Sequence, residues 1–205
     1  MGAKIKSLSE NISVLFKKKD WKTLIKNYQP KDISLVLSYK DSMFAAKEIM
    51  EFDFRNDETL NYVVDLLFSV RNRHQKNWNE DWKNDIFLSD LCAIVWRYKE
   101  SYEVLASAYQ RIKDPSAAFL YEFAKCTRNP PEAKFMSEEE AEELLQESLN
   151  KKITFETANF LSWIYTRKNN KEKALYWSKI ANEAEKKCHH NENLVPEFYT
   201  KVLDK

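Results

Sequence analysis

Residues 155–187 read FETANFLSWIYTRKNNKEKALYWSKIANEAEKK. Ala158, Leu161, Ser162 and Tyr165 recur at the spacing that lines one face of a helix. The polar run Lys168-Asn169-Asn170 interrupts them, and Ala174, Trp177, Ser178 and Ala181 then repeat the same spacing. Two amphipathic helices joined by so short a turn pack antiparallel, as a helical hairpin. Ala158, Ser162, Ala174, Ser178 and Ala181 are small enough to let the two helices approach closely, while Leu161, Tyr165 and Trp177 fill the space beside them.

This hairpin resembles a tetratricopeptide repeat, and its segment KALYWSKIA, residues 173–181, is similar to the second helix of the related Sel1-like repeats. Ser162 departs from the pattern, standing where those families usually carry Gly. Leu105, Ala106, Tyr109 and Ala118 repeat the order of Leu161, Ser162, Tyr165 and Ala174, each displaced by 56 residues. Ala141 lies 33 residues before Ala174, close to the tetratricopeptide period of about 34. The fold expected is all-α, of stacked antiparallel hairpins with ten to eleven helices, in one domain over 1–205 whose most repeat-like part is 98–187. The resemblance implies a concave face that binds proteins or peptides, into which Asn159, Trp163 and Thr166 would point. Trp163 equally suits an inter-repeat core position.

Composition supports the class. The chain of 205 residues has 1 Gly, where average usage gives about fourteen. Without Gly the sequence has no phosphate-binding loop, dinucleotide fingerprint, nucleophile elbow or Gly-dependent β-hairpin. Cys92, Cys126 and Cys188 are odd in number and widely spaced, which reads as reduced thiols and a cytoplasmic setting. Neither a signal-type apolar core nor a membrane-length apolar run is expected. Gly2 opens something like a myristoylation signal, but Lys6 stands where Ser or Thr is needed and Ser7 is one place late.

The net charge of +1 conceals an asymmetry. Bases outnumber acids by 10 to 5 in residues 1–50 and 11 to 7 in 151–205, whereas acids outnumber bases by 10 to 7 in 51–100 and 10 to 5 in 101–150. An acidic middle of this kind is mostly solvated helix surface, yet it can also steer a basic partner.

Further elements follow from caps and spacing. Helices are expected over 4–18, from the Asp20 cap through Tyr28, from Pro30 to 39, and from Asp41 or Ser42 through Met50. Asn56 or Asp57 opens the most apolar helix, with Leu60, Val63, Val64, Leu67, Phe68 and Val70, expected at the centre of the core. A helix over 85–96 follows, then one ending near Lys125 that begins at Pro115, then 137–150 under a Ser137/Glu140 capping box. Pro196 starts a last one carrying Phe198, Tyr199, Val202 and Leu203. Between His74 and Asp85 the pattern lapses. Trp78 and Trp82 stand there among Glu80, Asp81 and Asp85, outside any apolar stripe, and two placements are open. The indoles are exposed anchors of a partner-binding loop, or they fold back onto the 56–74 helix as a satellite core.

No catalytic residues, metal ligands or cofactor are expected. His74 sits alone at a helix end, where it can meet terminal carbonyls. Cys188-His189-His190 has one nearby carboxylate, Glu192, and adjacent helical histidines diverge by about 100°. The Asn77-Asn79-Asp81 alternation fails as a calcium loop, because Trp82 holds the Gly position and Leu88 the bidentate Glu position. Lys17-Lys18-Lys19 with Trp21 and Tyr28 could meet nucleic acid, but both aromatics fit the apolar spacing of their own helix. The reading is a non-enzymatic protein-binding module. Its specific form is a bacterial immunity or antitoxin-type protein that occludes a basic, nuclease-like toxin. A chaperone or scaffold and a nucleic-acid-binding helical protein are the alternatives. Sequence fixes neither the partner nor the oligomeric state.

Overall fold

Apolar residues at helical spacing, closed by side-chain caps, make the chain all-α. The computed structural model describes residues 2–192, 194 and 196, and these form twelve α-helices with no strand. The helix expected beyond Pro196 lies outside the described residues. Where the sequence reading takes 1–205 as one domain, contacts group the chain into two compact units, one extending to Trp96 and the other spanning Arg97–Leu194.

The first unit contains α1 (Gly2–Lys18), α2 (Trp21–Asn27), α3 (Pro30–Val36), α4 (Tyr39–Phe52), α5 (Asp57–Arg73), α6 (Gln75–Trp78) and α7 (Lys83–Ile94). The Asp20 carboxylate accepts from Thr23 N, and the Asn56 amide oxygen accepts from Glu58 N and Thr59 N, each meeting orphan donors of a first turn. α4 starts at Tyr39, earlier than Asp41. Ser38 caps it by accepting from Asp41 N, and its hydroxyl donates to the Asp41 carboxylate at 2.7 Å. α5 packs against α3, α4, α6 and α7. Its Val63, Val64, Leu66, Leu67 and Val70 are fully buried, as expected of the central helix.

The second unit contains α8 (Tyr98–Arg111), α9 (Ala117–Ala124), α10 (Glu138–Lys151), α11 (Phe155–Arg167) and α12 (Lys171–Lys186), with 3₁₀ turns at Lys125–Arg128 and Pro131–Ala133. α11 and α12 form the expected hairpin, the most extensive helix pair among the described residues. The Ser162 hydroxyl, at the family's Gly position, donates to the Ala174 carbonyl at 2.9 Å, so the departure becomes an interhelical bond. The second expected hairpin is partly redrawn: α9 packs mainly on α10, while α8 meets it through Tyr102 and Tyr109, whose rings lie 5.8 and 5.7 Å from that of Phe123. The reason is chemical. AAFLYEFA is apolar nearly all round, and α10 offers it Leu144, Leu145 and Leu149, together with the buried Ser148 hydroxyl that donates to Ala117 O at 2.9 Å.

With Gly absent from the interior, four other residues adopt the left-handed backbone just past helix ends. They are Lys19 (φ 53°), Trp96 (φ 65°), Asn169 (φ 55°) and Cys188 (φ 54°). Outside Gly and Asn this conformation costs roughly 1 kcal/mol.

Candidate functional site

In the first unit, residues 74–85 are not one continuous loop: 75–78 and 83–85 are helical, and the turn between them stays at the surface. Trp78 and Asp85 are both 0% exposed, which corrects their placement as surface anchors. The indole Nε1 of Trp78 donates to Asp85 Oδ1 at 3.0 Å, and the same oxygen lies 3.2 Å from Nε of Arg71. Asn84 Nδ2 donates to the Trp78 carbonyl at 3.1 Å and to the Tyr39 hydroxyl at 3.2 Å. Burial pushes the Tyr39 phenol up to about 12, opposed by the Asn84 bond and reinforced by the carboxylates of Asp81, Glu80 and Asp85. This polar network is saturated and interior, so it holds α5, α6 and α7 together. Glu80 is exposed and Asp81 and Trp82 are half-buried, so only these three of the five residues reach the surface.

The apolar surface of this unit lies elsewhere, between the ends of α4 and α7. Met50, Glu51, Phe54, Leu60, Leu91 and Ile94 line a groove of about 350 Å³. Phe54 is 60% exposed and Ile94 58%, with Phe52 at 55% two residues before Phe54. The segment 48–65 that forms one wall carries six acids, Glu48, Glu51, Asp53, Asp57, Glu58 and Asp65, and one base, Arg55, which stacks on Phe54 at 5.5 Å. Two residues beyond Ile94, the Trp96 indole is 72% exposed on a left-handed backbone. The backbone there is the helix-end conformation shared with Lys19, Asn169 and Cys188, and it turns the indole outward past α7.

The N-terminal basic run is less available to phosphate than its sequence implies. Lys19 bonds Glu48 at 2.9 Å, and Trp21 is 5% exposed, which removes a cation and the stacking ring.

In the second unit the concave-face residues separate. Trp163 lines a cleft of about 590 Å³ with Thr127, Arg128, Asn129, Pro130, Lys134 and Arg167. Asn159 and Thr166 are exposed but do not line it, and the Thr166 hydroxyl is engaged by Ser162 O at 2.8 Å. The Arg128 guanidinium lies 3.8 Å from the Phe160 ring centre and 5.4 Å from that of Trp163, and Arg167 lies 4.9 Å from Trp163. Asn129, Arg128 and Lys134 escape sequence reading because Asn129-Pro130-Pro131 reads only as a break between helices.

Among the described residues no group of three His, Cys, Asp or Glu side chains could hold a metal. His190 Nδ1 meets Glu156 Oε1 at 2.9 Å, and Phe155 N donates to the His189 carbonyl at 2.9 Å, so this segment ties down the start of α11. No helix among the described residues is long and apolar enough to cross a membrane.

Stacked helices and an interhelical hairpin define a protein of the helical-repeat type. A solved structure titled "MamA MSR-1 C2", a TPR-like helical repeat protein, superposes with a TM-score of 0.56 at 11% identity, covering 90% of this chain and 98% of that one. The likeness is one of fold. No protein-family model matches the chain, and no curated protein matches it.

Proposed function

We propose that the chain is a non-enzymatic protein-binding module whose partner is basic, and that it acts as a bacterial immunity or antitoxin-type protein occluding that partner. The groove of Phe54 and Ile94 carries this reading. Exposed large apolar side chains grouped at one groove are what interfaces bury, and aromatic residues there supply most of the affinity. Of the six acids in the adjoining wall, Glu48 is answered by Lys19 at 2.9 Å and Glu51 by Lys47 at 3.7 Å, and the remaining excess of four acids to one base selects a partner of positive charge and speeds its approach. A basic nuclease-like toxin presents that chemistry. The TPR-like fold agrees, as a scaffold that commonly works by surface rather than by a catalytic centre.

The test is co-expression with the product of the neighbouring gene in the native host. The two chains should co-elute, the complex should restore growth, and affinity should fall with added salt. Phe54→Lys changes a largely exposed side chain and should leave the fold intact while weakening binding by about tenfold or more. An unaltered affinity in the folded Phe54→Lys variant, or an acidic partner, refutes the reading.

A further inference from the structure

We propose that the cleft beside Trp163 binds a phosphoryl group, a property independent of the groove in the first unit. Three cations, Arg128, Lys134 and Arg167, line this one cleft. One carboxylate answers them, Glu138, at 3.3 Å from Nε of Arg167. Among the described residues Arg128 and Lys134 have no carboxylate within ion-pair distance, although the Lys134 charge is felt by Glu139. The excess at the cleft is therefore close to two positive charges. That matches a phosphomonoester, which carries about −1.5 to −2 at neutral pH, and exceeds what a single carboxylate neutralises.

The arginines are prepared for such a ligand. Arg128 rests on Phe160 at 3.8 Å and beside Trp163 at 5.4 Å, while Arg167 lies over Trp163 at 4.9 Å. Stacking fixes a guanidinium plane through its face and leaves the in-plane N–H donors to fork onto oxygen. Asn129, a further lining residue, has its Nδ2 buried and without a hydrogen-bond partner. A buried donor lacking an acceptor is uncommon, and it marks this stretch of the cleft wall as unsatisfied. At about 590 Å³ the cleft holds more than a phosphoryl group. Pro130 and Trp163 give the remaining volume an apolar wall that suits the residues flanking a phosphoserine or the body of a small phosphate ester.

Calorimetric titration of the full chain uses four probes: inorganic phosphate, a phosphoserine tripeptide Ala-pSer-Ala, and its Ser and Glu counterparts. The phosphopeptide should bind about tenfold or more tightly than either counterpart, and inorganic phosphate should compete with it. A phosphopeptide much tighter than inorganic phosphate identifies a peptide source. Equal affinities identify a small ester. Arg128→Gln and Arg167→Gln should each weaken binding about tenfold. Should either fail to fold for want of its aromatic contact, the exposed Lys134→Gln, expected to weaken binding about threefold, decides the matter. The absence of saturable binding by phosphate and phosphopeptide overturns the proposal. So do equal binding of the Glu peptide and unchanged affinity in the folded variants.

Discussion

Replacing Asp85 by Ala should destabilise the first unit by about 3 kcal/mol, because it removes one member of a buried charge pair and strands two donors. At 3.2 Å and an effective dielectric of 20, the attraction between Arg71 and Asp85 is about 5 kcal/mol before the cost of desolvating the carboxylate is subtracted. Deleting one member of a buried pair typically costs about 3–5 kcal/mol. Arg71 keeps 19% of its side-chain surface and can rehydrate in part, which places the loss at the lower end. The Trp78 indole N–H, inside a residue that is 0% exposed, then has no acceptor, a cost of about 1–3 kcal/mol that overlaps with the first. Urea denaturation measures the result: with a slope near 2 kcal/mol per molar, the midpoint should fall by about 1.5 M. Asp85→Asn keeps an acceptor for the indole and should fall less. Glu80→Ala, on an exposed side chain, should stay within about 0.5 kcal/mol of wild type. The loss from Trp78→Phe should be smaller in the Asp85→Ala background than in the wild type, since the two share one bond. A midpoint for Asp85→Ala within error of wild type would show that this oxygen does not anchor α5, α6 and α7.

Ala174→Leu should overpack the contact where Ser162 meets Ala174 O and cost about 1–3 kcal/mol, whereas Ser162→Ala should cost about 1 kcal/mol, both read from thermal melts. Cys188→Gly should raise stability by about 0.5–1 kcal/mol, because the exposed Cys188 holds a left-handed backbone that Gly adopts freely, and a variant no more stable than wild type removes that account. Burial alone would raise the Glu142 carboxyl, but the bonds from the Tyr165 hydroxyl and the Lys168 ammonium, the latter at 2.9 Å, hold it below the ordinary carboxylate range. A depressed carboxyl stabilises above its unfolded pKa of about 4.3, and that contribution is lost as pH falls through the folded value. Lys168→Met should therefore cost about 0.5–1 kcal/mol near pH 7, and the difference from wild type should close in acid; a pH-independent difference would exclude the pair as its origin.

What the sequence made legible was local. Asp20, Asn56 and the Ser137/Glu140 box announce helix starts because cap and donor lie within a few residues of each other, so no tertiary partner is needed to read them. The α11–α12 hairpin is legible for the same reason, its turn being short enough to force the pairing. The α8–α9 pairing was not. Leu105, Ala106 and Tyr109 echo the later repeat, but α9 has apolar surface on more than one side, and periodicity cannot say which neighbour takes which side. Ser38 is not legible as the α4 cap because Asp41, three residues on, looks equally like one, whereas it is the partner that Ser38 bonds.

The candidate sites follow the same division between local and tertiary information. Large aromatics among acids, outside a helical stripe, single out Trp78 and Trp82, but polarity in the sequence cannot distinguish water from a buried partner. Arg71, Trp78 and Asp85 stand on α5, α6 and α7 in turn, so it is the breaks at His74 and at 79–82, and no helical period, that fold the charges onto the indole. Phe52-Asp53-Phe54 meets the same description of large aromatics among acids, and there both rings do remain exposed. The Trp163 cleft needed still more: Arg128 and Arg167 lie 39 residues apart, and only the packing of the Lys125–Arg128 turn beside α11 brings both guanidinium groups onto one indole. A binding surface assembled this way has no sequence pattern of its own, and its charge can oppose that of the segment around it. The basic cleft thus arises largely from within residues 101–150, the most acidic quarter of the chain, because Arg128 and Lys134 converge with Arg167 while the ten acids of that quarter are dispersed.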